Sequence, residues 1–374
     1  MPSAADGSDV SGAAAAVVAE ISAHGGALRF DRFMQTALYG AHGFYTEPRP
    51  SGTGQRISHA GTDQRTSYSD TGERTGRAGR RGDFLTSPEV GPLFGAVIAR
   101  ALDTWWREMG EPDPFVVVDA GAGPGTLARS VLAARPECGG ALRYVAVEVS
   151  ADQRAAHPAG VESRVELPTT PFVGVILANE LLDNLPFRLF VFDGGWKEAF
   201  VAYDGSRFVE VLRQCTPLPR SLPERAAHGA RAAVCDAAAE WVDTALSRLT
   251  SGRLVAIDYA TTTQSMTERA WREWLRTYSA HQRGGHYLSS VGEQDLTVEV
   301  PLDQLPTATT VSSQSQFLRR YGIDALVAEG KAAWQQQTSA PDLAAMMMRS
   351  RVSEAEALLD PSGLGAFSVV EWRR

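Results

Sequence analysis

The chain has 374 residues, 44% of them hydrophobic, which is enough for one sizeable core domain and a second region beside it. A formal net charge of -8 argues against nonspecific nucleic-acid binding, and no apolar run is long enough to span a bilayer. The three cysteines, Cys138, Cys215 and Cys235, follow neither a metal-ligand nor a disulfide spacing, so no metal site is expected.

Met1 to Gly26 is Ala-rich and contains Asp6, Asp9 and Glu20, with no Lys or Arg before Arg29. It lacks the basic start of a signal peptide and the Arg-rich character of a transit peptide, which leads us to expect a cytoplasmic protein. A helix from Ala13 to His24 is expected within an N-terminal helical segment, residues 1–48. Residues 49–81 are rich in Gly, Ser, Thr and Arg and almost without apolar side chains, so burial cannot offset their ordering entropy. They read as a flexible insertion whose arginines (Arg49, Arg56, Arg65, Arg74, Arg77, Arg80, Arg81) are diluted by Asp63, Asp70 and Glu73.

The main domain is expected over 82–374. At Gly82-Asp-Phe-Leu-Thr-Ser-Pro-Glu-Val90, Thr86 or Ser87 can cap a helix that has Pro88 in its first turn and runs to Trp106. Phe115-Val-Val-Val-Asp119 then reads as a buried parallel strand, and Leu127 to Arg135 as the helix after it. Gly121, Gly123 and Gly125 therefore sit at a strand-to-helix turn, where unsatisfied N–H groups and absent Cβ atoms let a ligand approach the backbone. A second strand, Arg143-Tyr-Val-Ala-Val-Glu148, ends in a carboxylate roughly 20 positions further on, the spacing at which an acid meets ribose hydroxyls. The glycine spacing departs from the dinucleotide fingerprint, since Thr126 stands where a third glycine would fall, and from the P-loop, since no Lys follows.

A third strand is expected around Val161 to Val165 and a fourth at Phe172-Val-Gly-Val-Ile-Leu-Ala178. Phe187 to Phe192, Glu198 to Tyr203 and Phe208 to Leu212, with turns at Asp193-Gly-Gly195 and Asp204-Gly205, read as an antiparallel meander over about 187–213. A helix from His228 to Leu249 follows, then core strands at Leu254 to Asp258, Leu296 to Val300 and Phe367 to Trp372, with a helical substrate region over about 261–365. The alternation implies an α/β fold: a doubly wound, mostly parallel, Rossmann-like sheet with an inserted antiparallel meander and a helical accessory region. Ligands of such sheets lie at the carboxyl ends of the strands, so Asn179 and Glu180 should face the same crevice as Gly121 and Glu148. Glu180 and Asp183, three apart, share a face if that turn is helical.

Asp119-Ala-Gly-Ala-Gly-Pro-Gly125 resembles motif I of class I S-adenosylmethionine-dependent methyltransferases. With it, Phe33 to Tyr39 with Gly43-Phe-Tyr45, Gly82-Asp-Phe-Leu-Thr-Ser-Pro-Glu89 with Phe94-Gly95, Val147-Glu-Val-Ser150 and Ala178-Asn-Glu-Leu-Leu-Asp-Asn-Leu-Pro186 occur in the order seen in the MidA-like methyltransferases, which the chain resembles. Ile257-Asp-Tyr259, His281, Asp295-Leu-Thr297 and Gln316 to Gly322 continue the resemblance, whereas 49–81 and Ala325 to Gly365 depart from it. That family includes a mitochondrial complex I assembly factor that methylates protein arginine. The resemblance implies S-adenosyl-L-methionine as cofactor, held by Asp119, Gly121, Gly123, Gly125, Glu148, Asn179 and Thr86.

Glu180 and Asp183 are the candidate catalytic residues, because carboxylates bind and orient a planar guanidinium. Asp83 and Glu89 are candidate partners, and Asp258 and His281 candidate general bases. The expected activity is protein arginine N-methylation, with no nucleic-acid or membrane partner and a homodimer as an allowed assembly. The alternatives are a small-molecule O-, N- or C-methyltransferase, or a noncatalytic assembly factor that keeps the cofactor fold.

Overall fold

The computed structural model describes residues 12–46, 86–279, 282–336 and 343–374. The 49–81 insertion, Asp83 and His281 lie outside the described residues. Helices α1 (Gly12–Ala23) and α2 (Phe30–Tyr39) open the chain, followed by the short α3 (Ser87–Val90) and the long α4 (Pro92–Glu108). Strand β1 (Phe115–Ala120) leads through the glycine turn into α5 (Thr126–Ala133), and β2 (Leu142–Val147) into the one-turn α6 (Ala151–Arg154). Then come β3 (Glu162–Arg164), β4 (Phe172–Asn179), β5 (Arg188–Phe192), β6 (Trp196–Tyr203), β7 (Phe208–Gln214) and β8 (Arg231–Val234). After α7 (Asp236–Ser247) the chain forms β9 (Leu249–Asp258), β10 (Leu275–Ser279), β11 (Asp295–Val298) and β12 (Thr310–Ser313). It finishes with α8 (Gln314–Arg320), α9 (Ile323–Gln336), α10 (Leu343–Leu359) and β13 (Ser368–Arg373).

The main sheet has the order β12-β13-β9-β4-β1-β2-β3. The pairs from β9 to β3 are parallel, and β13 runs antiparallel to both its neighbours. Because side chains alternate along a strand, each face gathers its own apolar set. Val118, Val145, Ile176 and Leu254 pack with Val17, Ile21 and Phe33 of the N-terminal helices. Val117, Val175, Val255 and Val369 pack on the opposite side with Phe94 and Trp105 of α4 and Val131 of α5. Strands β5 to β8 form a separate antiparallel sheet, to which Leu28–Arg29 adds an edge through β6.

Three expectations change. The helix expected from His228 begins at Asp236, because Arg231–Val234 is drawn into a ladder with Arg188–Val191. Ala-rich sequence favours helix only weakly, and tertiary pairing overrides it. The strand expected at Leu296 to Val300 forms at Asp295–Val298 but joins a small sheet with β10, not the main one. The stretch 261–365 carries strands as well as helices, and its Thr310–Ser313 is the edge of the main sheet.

Candidate active site

The carboxyl ends of β1, β2 and β4 open onto a cavity of about 480 Å³. One wall is the turn after β1, where Gly121, Gly123 and Gly125 adopt φ of 72°, 54° and 79°, values an L side chain rarely takes. The N–H groups of Gly121 and Ala122 donate to the Val147 carbonyl, so the turn is pinned to the end of β2. Glu148 is buried there, its carboxylate accepting the Gly123 N–H at 3.0 Å and the Ser150 N–H at 2.9 Å. From the far side His157 joins Gly123 O through Nε2 and Ser163 Oγ through Nδ1, both at 2.9 Å. Asp119 lies beneath, its carboxylate accepting from Tyr144 OH at 3.0 Å, and burial pushes its pKa up to about 7.

The opposite wall is built at the end of β4. The Glu180 N–H makes the last ladder bond of β4, to Ile257 O at 2.8 Å, and the residue then takes φ of 52°, which carries the chain out of the sheet. Its Oε1 accepts from Asn179 Nδ2 at 3.0 Å and from the Ser87 N–H at 3.4 Å. Burial, then the negative charge of Asp258, raises the Glu180 pKa to about 8. Tyr39 and Tyr45 complete this side as a stacked pair with ring centroids 5.4 Å apart. Their hydroxyls donate to Asn184 O at 3.1 Å and to Asp295 Oδ1 at 2.8 Å.

The structure brings Asp119, Gly121, Gly123, Glu148, Asn179, Glu180, Thr86 and Glu89 to this one cavity. Gly125 stands just behind, as the N-cap of α5. Asp183 and Asp258 do not line it. Glu180 leaves the sheet in a left-handed conformation and Leu182–Asn184 forms a 3-10 turn, so Asp183 points into the protein, 3% exposed, with Oδ1 enclosed and unpartnered. Burial and the charges of Asp258 and Asp295 raise its pKa well above that of an ordinary aspartate. Asp258 is pinned by the N–H groups of Leu182, Asp183 and Tyr259. Sequence reasoning did not single out Gln153, Trp241 and Arg248, which also line the cavity. Gln153, five residues past the strand-end acid, carried the one available signal, a polar side chain on the first turn behind it.

These residues fit a nucleoside-bearing cofactor. Gln153 Oε1 and Asn179 Oδ1 are enclosed acceptors on the wall with no hydrogen-bond partner, and a Cβ on Gly123 would stand 3.1 Å from Gln153 Oε1. Among the described residues no group of three or more His, Cys, Asp or Glu is placed to hold a metal, and no helix is long and apolar enough to cross a membrane.

Fold and cavity together define an α/β protein that receives a nucleoside-type cofactor at the carboxyl ends of its parallel strands. The chain belongs to the family described as "Putative S-adenosyl-L-methionine-dependent methyltransferase", whose model matches residues 97–319. It is similar to the mouse protein named protein arginine methyltransferase NDUFAF7, mitochondrial, at 27% identity over 66% of this chain and 65% of that protein. A Drosophila melanogaster homologue of the same name is 54% identical over 14% of this chain and 12% of its own length. The match thus spans less than two thirds of either relative.

Among solved structures, a Burkholderia thailandensis protein bound to S-adenosyl-homocysteine superposes with a TM-score of 0.77 at 26% identity, covering 97% of this chain and 92% of that one. The cytoplasmic location expected from the N-terminal composition is corrected by these matches, since both curated relatives are mitochondrial by name.

Proposed function

We propose that the chain transfers a methyl group from S-adenosylmethionine to the side chain of a protein arginine. The observation that carries this reading is Glu180, a half-buried carboxyl group in the same cavity as the glycine turn. The names of the mouse and Drosophila relatives support the acceptor. The sheet order supports the doubly wound class I arrangement, with the glycine turn and Glu148 on the cofactor side and Glu180, Tyr39 and Tyr45 on the acceptor side.

When bound, the cofactor supplies a methyl group on a sulfonium, which departs by in-line displacement. The protein's task is to hold the nucleophile in line and to keep water out. A guanidinium entering beside Glu180 favours the carboxylate form, which then orients the planar N–H donors. With a pKa near neutrality, Glu180 can also take the proton that the methylated nitrogen sheds. The tyrosine pair offers aromatic faces to the cation.

Incubation with labelled cofactor and candidate protein substrates, followed by hydrolysis and mass spectrometry, should yield methylarginine. Glu180→Gln should lower kcat by about 100-fold or more. Label found only on small molecules would overturn the acceptor assignment.

A further inference from the structure

Gln153 stands apart from the other polar residues of the cavity. It is 4% exposed, lies on the single turn α6 directly behind Glu148, and its backbone N–H caps onto Ser150 Oγ. Both oxygens of Glu148 already accept a backbone N–H, yet Gln153 Oε1 accepts nothing, although it is enclosed and lies against Gly123. An enclosed acceptor without a donor is costly, so its retention calls for a donor that arrives with a ligand. Asn179 Oδ1 is unpartnered too, but its amide nitrogen is committed to Glu180, which ties it to the opposite wall.

We propose that Gln153 Oε1 accepts a hydrogen bond from the nucleoside half of the cofactor, alongside Glu148, and so sets affinity for that half. This rests on the methyltransferase reading above. The donors offered by that half are the ribose hydroxyls and the exocyclic amine of adenine; the amino-acid half contributes nothing to this contact.

Gln153→Met keeps the volume and removes the acceptor. Calorimetric titration of wild type and variant with S-adenosyl-homocysteine and with 5′-methylthioadenosine, which lacks the amino-acid half, isolates the contact. Both ligands should weaken by the same factor, about 3- to 10-fold, while the melting temperature of the ligand-free protein stays level or rises, since an unsatisfied buried acceptor has been removed. A merely structural glutamine would instead lower that melting temperature. The proposal falls if the two affinities are unchanged, or if only S-adenosyl-homocysteine weakens. Failure of the wild type to bind S-adenosyl-homocysteine would overturn the methyltransferase reading, and this one with it.

Discussion

Glu180 combines three properties that a surface carboxylate lacks: a left-handed backbone, a half-buried side chain and an acidic neighbour in Asp258. Its pKa of about 8 lies above that of an unfolded glutamate, so between roughly pH 4.5 and 8 the native state holds a proton that the unfolded chain has released. Stability from this source is complete below the unfolded pKa and is lost as pH rises through the folded one. Asp119 and Asp258, both raised to about 7 chiefly by burial, act in the same direction. The melting temperature of the ligand-free protein should therefore fall from pH 5 to pH 8, and Glu180→Gln should make that decline shallower. Thermal unfolding monitored by circular dichroism across the range checks it, and a rising melting temperature would contradict it. The same ionisation should shape catalysis. With an arginine acceptor, kcat/KM should climb with pH through about 8, and that limb should be absent from the small residual activity of Glu180→Gln.

Between elements, the cavity wall formed by Thr86, Pro88 and Glu89 is fastened from the C-terminal helices. Ser87 Oγ donates to Gln314 Oε1 at 2.9 Å, and Gln314 Nε2 donates to Leu358 O at 3.2 Å. Glu354 of α10 accepts the Leu93 N–H at 2.8 Å at the start of α4. Glu354→Ala leaves that buried donor unpaired and should cost about 1–3 kcal/mol, with hydrogen exchange rising first across 86–93. Denaturant unfolding with exchange mass spectrometry reads both, and uniform exchange along the chain would argue against the clamp. A tighter constraint lies in the sheet, where Gly252 faces Gly174 across β9 and β4, and Gly174 faces Val116 across β4 and β1. A Cβ on Gly174 would stand 1.9 Å from Val116 O, so Gly174→Ala should cost at least about 1–3 kcal/mol through displaced strands, measurable as a lower denaturation midpoint. The hydrophobic run Phe172–Ala178 announces its strand plainly, because burial on both faces leaves an unbroken apolar signature. Thr310-Val-Ser-Ser313 carries no such pattern and is strand only because β13 offers it a ladder. Candidate site residues followed the same rule. The positions of Gly121, Glu148 and Glu180 at the cavity are legible because strand ends specify a place, whereas the inward turn of Asp183 is not, because the left-handed conformation at Glu180 has no local sequence cue.

Beyond any single element, the two apolar cores share the main sheet and depend on its last strand. β13 enters between β12 and β9, placing Val369 in one core and Val370 and Trp372 in the other. Trp372 Nε1 donates to Pro306 O at 2.9 Å, and the buried Glu371 receives Arg320 at 3.1 Å and Arg253 at 3.5 Å. Removing residues 368–374 would strip apolar burial worth about 1.5–3 kcal/mol for each of those three side chains. It would also leave Arg253 without one of its carboxylate partners and open an edge on β9. The summed loss is comparable to the whole stability of a typical domain, about 5–15 kcal/mol. Saturation with S-adenosyl-homocysteine at about 100 times its dissociation constant returns only about 2.7 kcal/mol. The truncated chain should therefore show no cooperative melting transition with or without that ligand. Glu354→Ala, whose cost is of the same size as the ligand's contribution, should recover most of the melting temperature of the unliganded wild type when the ligand is added. Parallel thermal melts of both variants with and without S-adenosyl-homocysteine test this contrast, and a cooperative transition in the truncated chain would show that the sheet does not depend on its final strand.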